Sequence, residues 1–145
     1  MKKFFILALI AIATGTSAFA GPSTKANTHF AAHYSAAKDV SWISNGKFEK
    51  VSFTMNNENV TVFYDQYGDL VGTTKKVAFD KLPKAAIETI TTNYTFPEYT
   101  VLECIEFVND NNERKYYASF GTDESTVVLE IAQNGRVGIF SEKAK

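Results

Sequence analysis

Cysteine and histidine are scarce in this chain, and each scarcity removes a class of protein. The single cysteine, Cys104, forbids an intramolecular disulfide, so stability has to come from a packed core. Its setting, "VLECIEF", is apolar and strand-like, the surroundings of a buried, inert thiol. Two histidines and one cysteine are too few for a zinc cluster. His29 and His33 do have the i, i+4 spacing at which two imidazoles share a metal on one helix face. Yet the H-E-x-x-H glutamate is missing and no third ligand is in view, so no metal is expected. No run reaches the roughly 20 apolar residues of a bilayer span. Basic residues are not in excess, at 15 Lys+Arg against 16 Asp+Glu, which removes the electrostatic footprint of a nucleic-acid binder.

Catalytic motifs are missing as well. There is no G-x-S-x-G elbow to expose a nucleophilic serine. "DQYGD", Asp65 to Asp69, lacks the alternating oxygen ligands and closing glutamate of a calcium loop and reads as a turn. Glu103 and Glu106 alternate to opposite faces of one strand, which rules them out as a simple acid/base couple. Neither a cofactor nor an enzymatic activity is expected.

What is present begins with a leader. "MKKFFILALIAIATGTSAFA" joins two lysines, an apolar run and small residues ending Ala18-Phe19-Ala20, a secretory signal with cleavage expected between Ala20 and Gly21. No cysteine stands at that point, so no lipid anchor is expected, and the product should be periplasmic or extracellular. Its loss removes Lys2 and Lys3 and no acid, which leaves 13 basic residues against 16 acidic ones. The small, polar stretch 21–27 is expected to be a loose leader to a single domain over 28–145.

Within that domain the chain repeats itself. "TVFYDQYGDLVG", Thr61 to Gly72, and "TVVLEIAQNGRVG", Thr126 to Gly138, each place an alternating strand, a turn with glycine and a second short apolar strand in sequence. Before the first copy, Phe30, Tyr34 and Ala37 fall at i, i+4 and i+7, one face of a helix over Thr28 to Lys38 with Asn27 or Thr28 as its cap. Before the second, Pro83 opens "KLPKAAIETI", and Ala86, Ile87, Ile90 and Tyr94 form an apolar stripe. Period-two alternation fills the rest, broken by turns at Asn45-Gly46, Asn56-Asn57, Tyr67-Gly68 and the "NDNNE", "GTDE" and "QNG" segments.

The expected fold is therefore α+β: two tandem units of one helix plus four strands, about 28–77 and 80–141, forming an antiparallel sheet with helices packed on one face. Val51, Phe53, Val60, Val62, Ala118, Phe120, Leu129 and Ile131 should lie beneath the helices. The opposite face should carry Lys50, Ser52, Thr54, Thr61, Phe63, Tyr117, Val128 and Glu130.

On these segments, "AKDVSW", "VSFTMNNENVTVFYDQYGDLVGTT" and the "KLPKAAIETI" helix with its following tyrosine, the chain resembles the PepSY-like, or β-lactamase-inhibitor-like, secreted proteins of Bacteroidetes. The resemblance runs from about Phe30 to Phe140. It implies helices on an antiparallel sheet, a location outside the cytoplasm, no enzymatic activity, and a grip on a partner through the open sheet face. Two function classes follow. One is a binding module or inhibitor that holds an envelope protein with Phe63, Tyr117, Thr54, Thr61 and Glu130. The other is a small-ligand carrier or sensor with a pocket between helices and sheet lined by Tyr34, Trp42 and Tyr94.

Overall fold

Alternation of apolar and polar residues dominates the chain, and it folds as that pattern requires. A computed structural model describes residues 21–145; the expected secretory leader and its cleavage lie outside the described residues. Helix α1 (Thr24–His33) is followed by strands β1 (Lys38–Ser44), β2 (Phe48–Met55), β3 (Glu58–Asp65) and β4 (Leu70–Lys76). A 3-10 turn (Phe79–Lys81) leads into helix α2 (Lys84–Asn93), and β5 (Thr100–Asn109), β6 (Arg114–Gly121), β7 (Ser125–Ala132) and β8 (Val137–Ala144) complete the chain. The strands pair in sequence order, β1 to β8, as one antiparallel sheet of eight.

Both helices sit on the same side of this sheet, and the pairing register shows why. Val51, Val62, Thr73 and Val108 lie opposite one another across β2 to β5 and so share a face. Cys104, four residues before Val108, points the same way. Val51 and Val62 belong to the core under α1, with Ala26, Phe30, Phe53 and Tyr64. Cys104 belongs to the core under α2, with Ala86, Ile90, Ala118, Phe120, Val127, Leu129 and Ile131. The residues expected beneath the helices are there, Val60 at the margin of its core.

Two glycines set how closely the helices approach. Gly68 has φ +77°, and a Cβ on it would stand 2.7 Å from Ser23 Oγ and 3.2 Å from the Ala26 nitrogen. Gly135 has φ +87°, with a Cβ position 2.8 Å from Ala85 Cβ and 3.2 Å from the Ala86 nitrogen. Each hairpin tip thus takes a left-handed turn and receives the first turn of a helix against its bare backbone.

The first helix is displaced from its expected span. It starts at Thr24 rather than Thr28 and ends at His33 rather than Lys38, with Ser23 as cap in place of Asn27 or Thr28. The stretch 21–27, expected to be loose, is helical from Thr24. Ser23 Oγ accepts the Ala26 N–H at 3.3 Å, and Glu49 fixes the cap by accepting the Ser23 N–H at 2.7 Å and its hydroxyl at 2.9 Å. Glu49 is distant in sequence, so local spacing could not reveal this anchor. Tyr34 and Ala37 still pack on the first core, from the turn beyond the helix.

Candidate binding face

On the side away from the helices, rows of side chains run across the strands. Thr61, Thr74, Phe107, Lys115 and Ala132 make one row, and Lys76, Ile105, Tyr117, Glu130 and Gly138 the next. Among the described residues, no helix packs on this side. All five residues expected to bind a partner, Phe63, Tyr117, Thr54, Thr61 and Glu130, are brought to it, as the alternation of β2, β3, β6 and β7 requires.

The aromatics on it are not exposed, which corrects the expectation of free contact residues. Phe63 is 4% exposed and Tyr117 2%. Tyr117 packs with Phe107 and Val128, and with Ile105 and Phe140 at the margin, in a third apolar cluster separate from the two helix-covered cores. The Phe140 ring meets Tyr117 edge-on at 5.2 Å. Gly72 lies opposite Phe63, and a Cβ there would stand 2.7 Å from two Phe107 ring atoms, so the Phe107 ring covers that backbone. The bare face therefore has an aromatic floor packed between its own strands. Phe107 and Ile105 were missed in the sequence, although counting in twos from Cys104 places them opposite to it.

Polar groups on the floor are satisfied internally. The Tyr117 hydroxyl donates to Glu130 Oε2 at 2.9 Å, and Lys115 Nζ reaches Glu130 Oε1 at 3.1 Å. Burial, then the hydrogen bond to the Glu130 carboxylate, pushes the Tyr117 phenol well above its ordinary value, so it stays protonated and donating. Ser52 and Thr61 hydroxyls lie 2.9 Å apart, Thr54 Oγ1 donates to Asn59 Oδ1 at 3.2 Å, and Lys76 pairs with Glu103 at 2.9 Å. A dimple of about 10 Å³ between Glu103, Ile105, Tyr117, Ser119 and Val128 is the size of one water.

The residues of the pocket alternative do not line one space. Tyr34 and Trp42 pack around Phe30, each with ring centroids 5.5 Å from it, in the first core. Tyr94 packs against Phe120 at 5.8 Å and Tyr99 at 5.1 Å in the second. A cavity of about 630 Å³ lies elsewhere, lined by Glu98, Tyr99, Thr122, Asp123, Glu124 and Glu142 among others, and includes none of the three.

The remaining candidates resolve into structural contacts. The His29 and His33 rings stack at 4.1 Å, His33 Nδ1–H donates to the His29 carbonyl at 2.9 Å, and His29 Nδ1 lies 2.9 Å from the buried Tyr64 hydroxyl. Among the described residues, no three His, Cys, Asp or Glu side chains are grouped to hold a metal. Asp65 Oδ1 accepts the N–H groups of Tyr67 at 2.8 Å and Asp69 at 2.9 Å, which makes "DQYGD" a turn. Glu103 and Glu106 pair with different partners, Lys76 and Arg114. Cys104 is buried, and burial followed by the Glu103 charge pushes its thiol up to about 11, away from nucleophilic use.

Neither a protein-family model nor a curated protein matches this chain. Solved structures do match. A BLIP-like protein of Bacteroides fragilis shares 16% identity at a TM-score of 0.68, over 88% of this chain and 89% of its own. A DUF2874 family protein of Bacteroides uniformis shares 13% identity at a TM-score of 0.71, over 86% and 90%. A presumed periplasmic protein of Bacteroides eggerthii shares 12% identity at a TM-score of 0.72, over 86% and 90%. The chain has a BLIP-like fold. Identities this low establish the fold alone. Among the described residues no helix is long and apolar enough to cross a membrane.

Proposed function

We propose that this protein is a secreted or periplasmic, non-enzymatic binding module that holds a protein partner, in the manner of an inhibitor, with the sheet face its helices leave bare. The observation that carries this reading is the asymmetry of the sheet. Two helices cover one side, while the other presents half-buried hydroxyls and paired charges over an aromatic floor. A firm floor with polar groups already satisfied costs little ordering entropy when a partner docks. The BLIP-like and presumed periplasmic neighbours support the same class and the same compartment. We further infer that the halves are copies of one unit. Ala26, Phe30 and Tyr34 of the first recur as Ala86, Ile90 and Tyr94, and the pairs Glu49–Tyr64 and Phe53–Val60 recur as Tyr116–Ile131 and Phe120–Val127.

Because Phe63 and Tyr117 are buried, truncating them would unsettle the sheet as well as the surface. A better test adds bulk. Thr61→Arg, in the middle of the bare face, should abolish capture of an envelope protein by the mature chain while its thermal midpoint stays within a few degrees. Glu88→Arg, on the exposed side of α2, should capture as well as the parent. Capture that survives Thr61→Arg and fails with Glu88→Arg would move the site to the helical side.

A further inference from the structure

Five cations of the described residues form ion pairs: Lys25 with Asp69, Lys75 with Glu58, Lys76 with Glu103, Arg114 with Glu106 and Lys115 with Glu130. Lys50 lies on the bare face and, among the described residues, has no carboxylate within salt-bridge reach. The adjacent acids are committed elsewhere. Glu49 projects to the opposite face and holds Ser23, while Asp65, paired across from Phe48, is consumed by its own turn. The register sets Lys50 between Ile43 and Phe63, with Phe48 two residues back on the same face and Phe63 and Phe48 both buried. Its stem therefore runs through an apolar collar, and burial lowers the ammonium's pKa from the ordinary value.

We propose that Lys50 is the docking point for a carboxylate of the protein partner, an aspartate or glutamate flanked by apolar side chains; the inference rests on the bare face being the binding surface. A half-desolvated ammonium with no carboxylate of its own gains most from an anion brought in dry, because its own desolvation is already partly met. The complementarity also sets the class of anion. The row through Lys50 is Ile43, Phe63, Gly72 and Asn109, without a second cation. One positive charge in an aromatic collar suits a carboxylate with apolar neighbours, whereas a phosphate dianion calls for more donors. Phe48, Phe63 and Ile43 would exclude water around the pair, as the surroundings of an interface hot spot do.

The test is a titration of the nitrogen-15-labelled mature chain with acetyl-Phe-Glu-Phe-amide, followed by two-dimensional NMR. The matched glutamine peptide and inorganic phosphate are the comparison arms. The glutamate peptide should shift the amides of Lys50, Phe63 and Thr61 saturably, with an affinity about tenfold above that of the glutamine peptide. Lys50→Met, which keeps the aliphatic stem, should abolish the difference, and Lys84→Met, on the exposed side of α2, should preserve it. Equal shifts by both peptides at those residues would overturn the carboxylate site and leave the bare face as the surface. Saturable shifts by phosphate alone would reassign Lys50 to a free oxyanion. Shifts confined to α1 and α2, or none, would overturn the docking point, and the Thr61→Arg capture experiment would then judge the face independently.

Discussion

The two halves of the sheet carry their helices by different chemistry. Helix α1 is tied down by polar contacts: Glu49 to the Ser23 cap, His29 to Tyr64, and Lys25 to Asp69 at 2.5 Å. Its core is largely aromatic, with Phe30 edge-on to Trp42 and to Phe53 at 5.5 and 5.1 Å. Helix α2 follows Pro83 with no side-chain cap, and the side-chain hydrogen bonds of its residues, Thr89, Thr91, Thr92 and Asn93, stay within the helix. It is held by burial of Ala86 and Ile90 over Leu129, Ile131 and Phe120. Where the first half places Glu49 opposite Tyr64, the second places Tyr116 opposite Ile131. The first helix is thus held with a polar clamp and the second without one, and in acid the clamped helix should be the one that answers to pH.

The largest expected effect falls where the halves agree. Phe53 and Phe120 are both buried under a helix, so Phe→Ala at either should cost about 3–5 kcal/mol in chemical denaturation. A cost confined to one of them would break the equivalence. The next effect sharpens the difference. Glu49→Ala leaves the Ser23 cap without its acceptor and should cost about 1–3 kcal/mol, whereas Tyr116→Phe, at the corresponding site, should stay within about 0.5 kcal/mol.

A smaller effect concerns acid. Burial, then the neighbouring His33, lowers the His29 pKa below the ordinary 6.5. The folded state therefore binds its proton less readily than the unfolded chain, and stability is fully present above pH 6.5 and is lost as pH falls through the folded value. The groups facing His29 are His33 on its own helix and Tyr64 on β3, whose phenol is itself raised by burial, then by Tyr34 and Glu49. Thermal midpoints should fall modestly between neutral pH and about pH 5, and less so in His29→Asn. An identical slope in that variant would remove His29 from the clamp. Smallest of all, Lys47→Ala at an exposed turn should stay within about 0.5 kcal/mol.

Much of this fold was legible because its strands obey a period of two. Val51, Phe53, Leu129 and Ile131 announce the covered face, and the glycine-bearing turns announce each reversal. The start of α1 was not legible, since Ser23 gains its value as a cap from Glu49, which only the folded sheet brings near. The bare face was half legible. Alternation assigns Phe63 and Tyr117 to it correctly, but it does not show that both are buried, Tyr117 among rings from other strands such as Phe107 and Phe140. A helix-free sheet face need not expose its aromatics when rings from neighbouring strands pack against them.

The most direct measurement of the central claim is amide hydrogen exchange on the chain from Gly21 onward, alone and with an envelope protein that it captures. Added protection should fall on the strands that carry the bare face's central rows, around Thr61, Thr74, Lys115 and Glu130, while α1 and α2 exchange as before. Protection gathered on the two helices, with those strands unchanged, would contradict it.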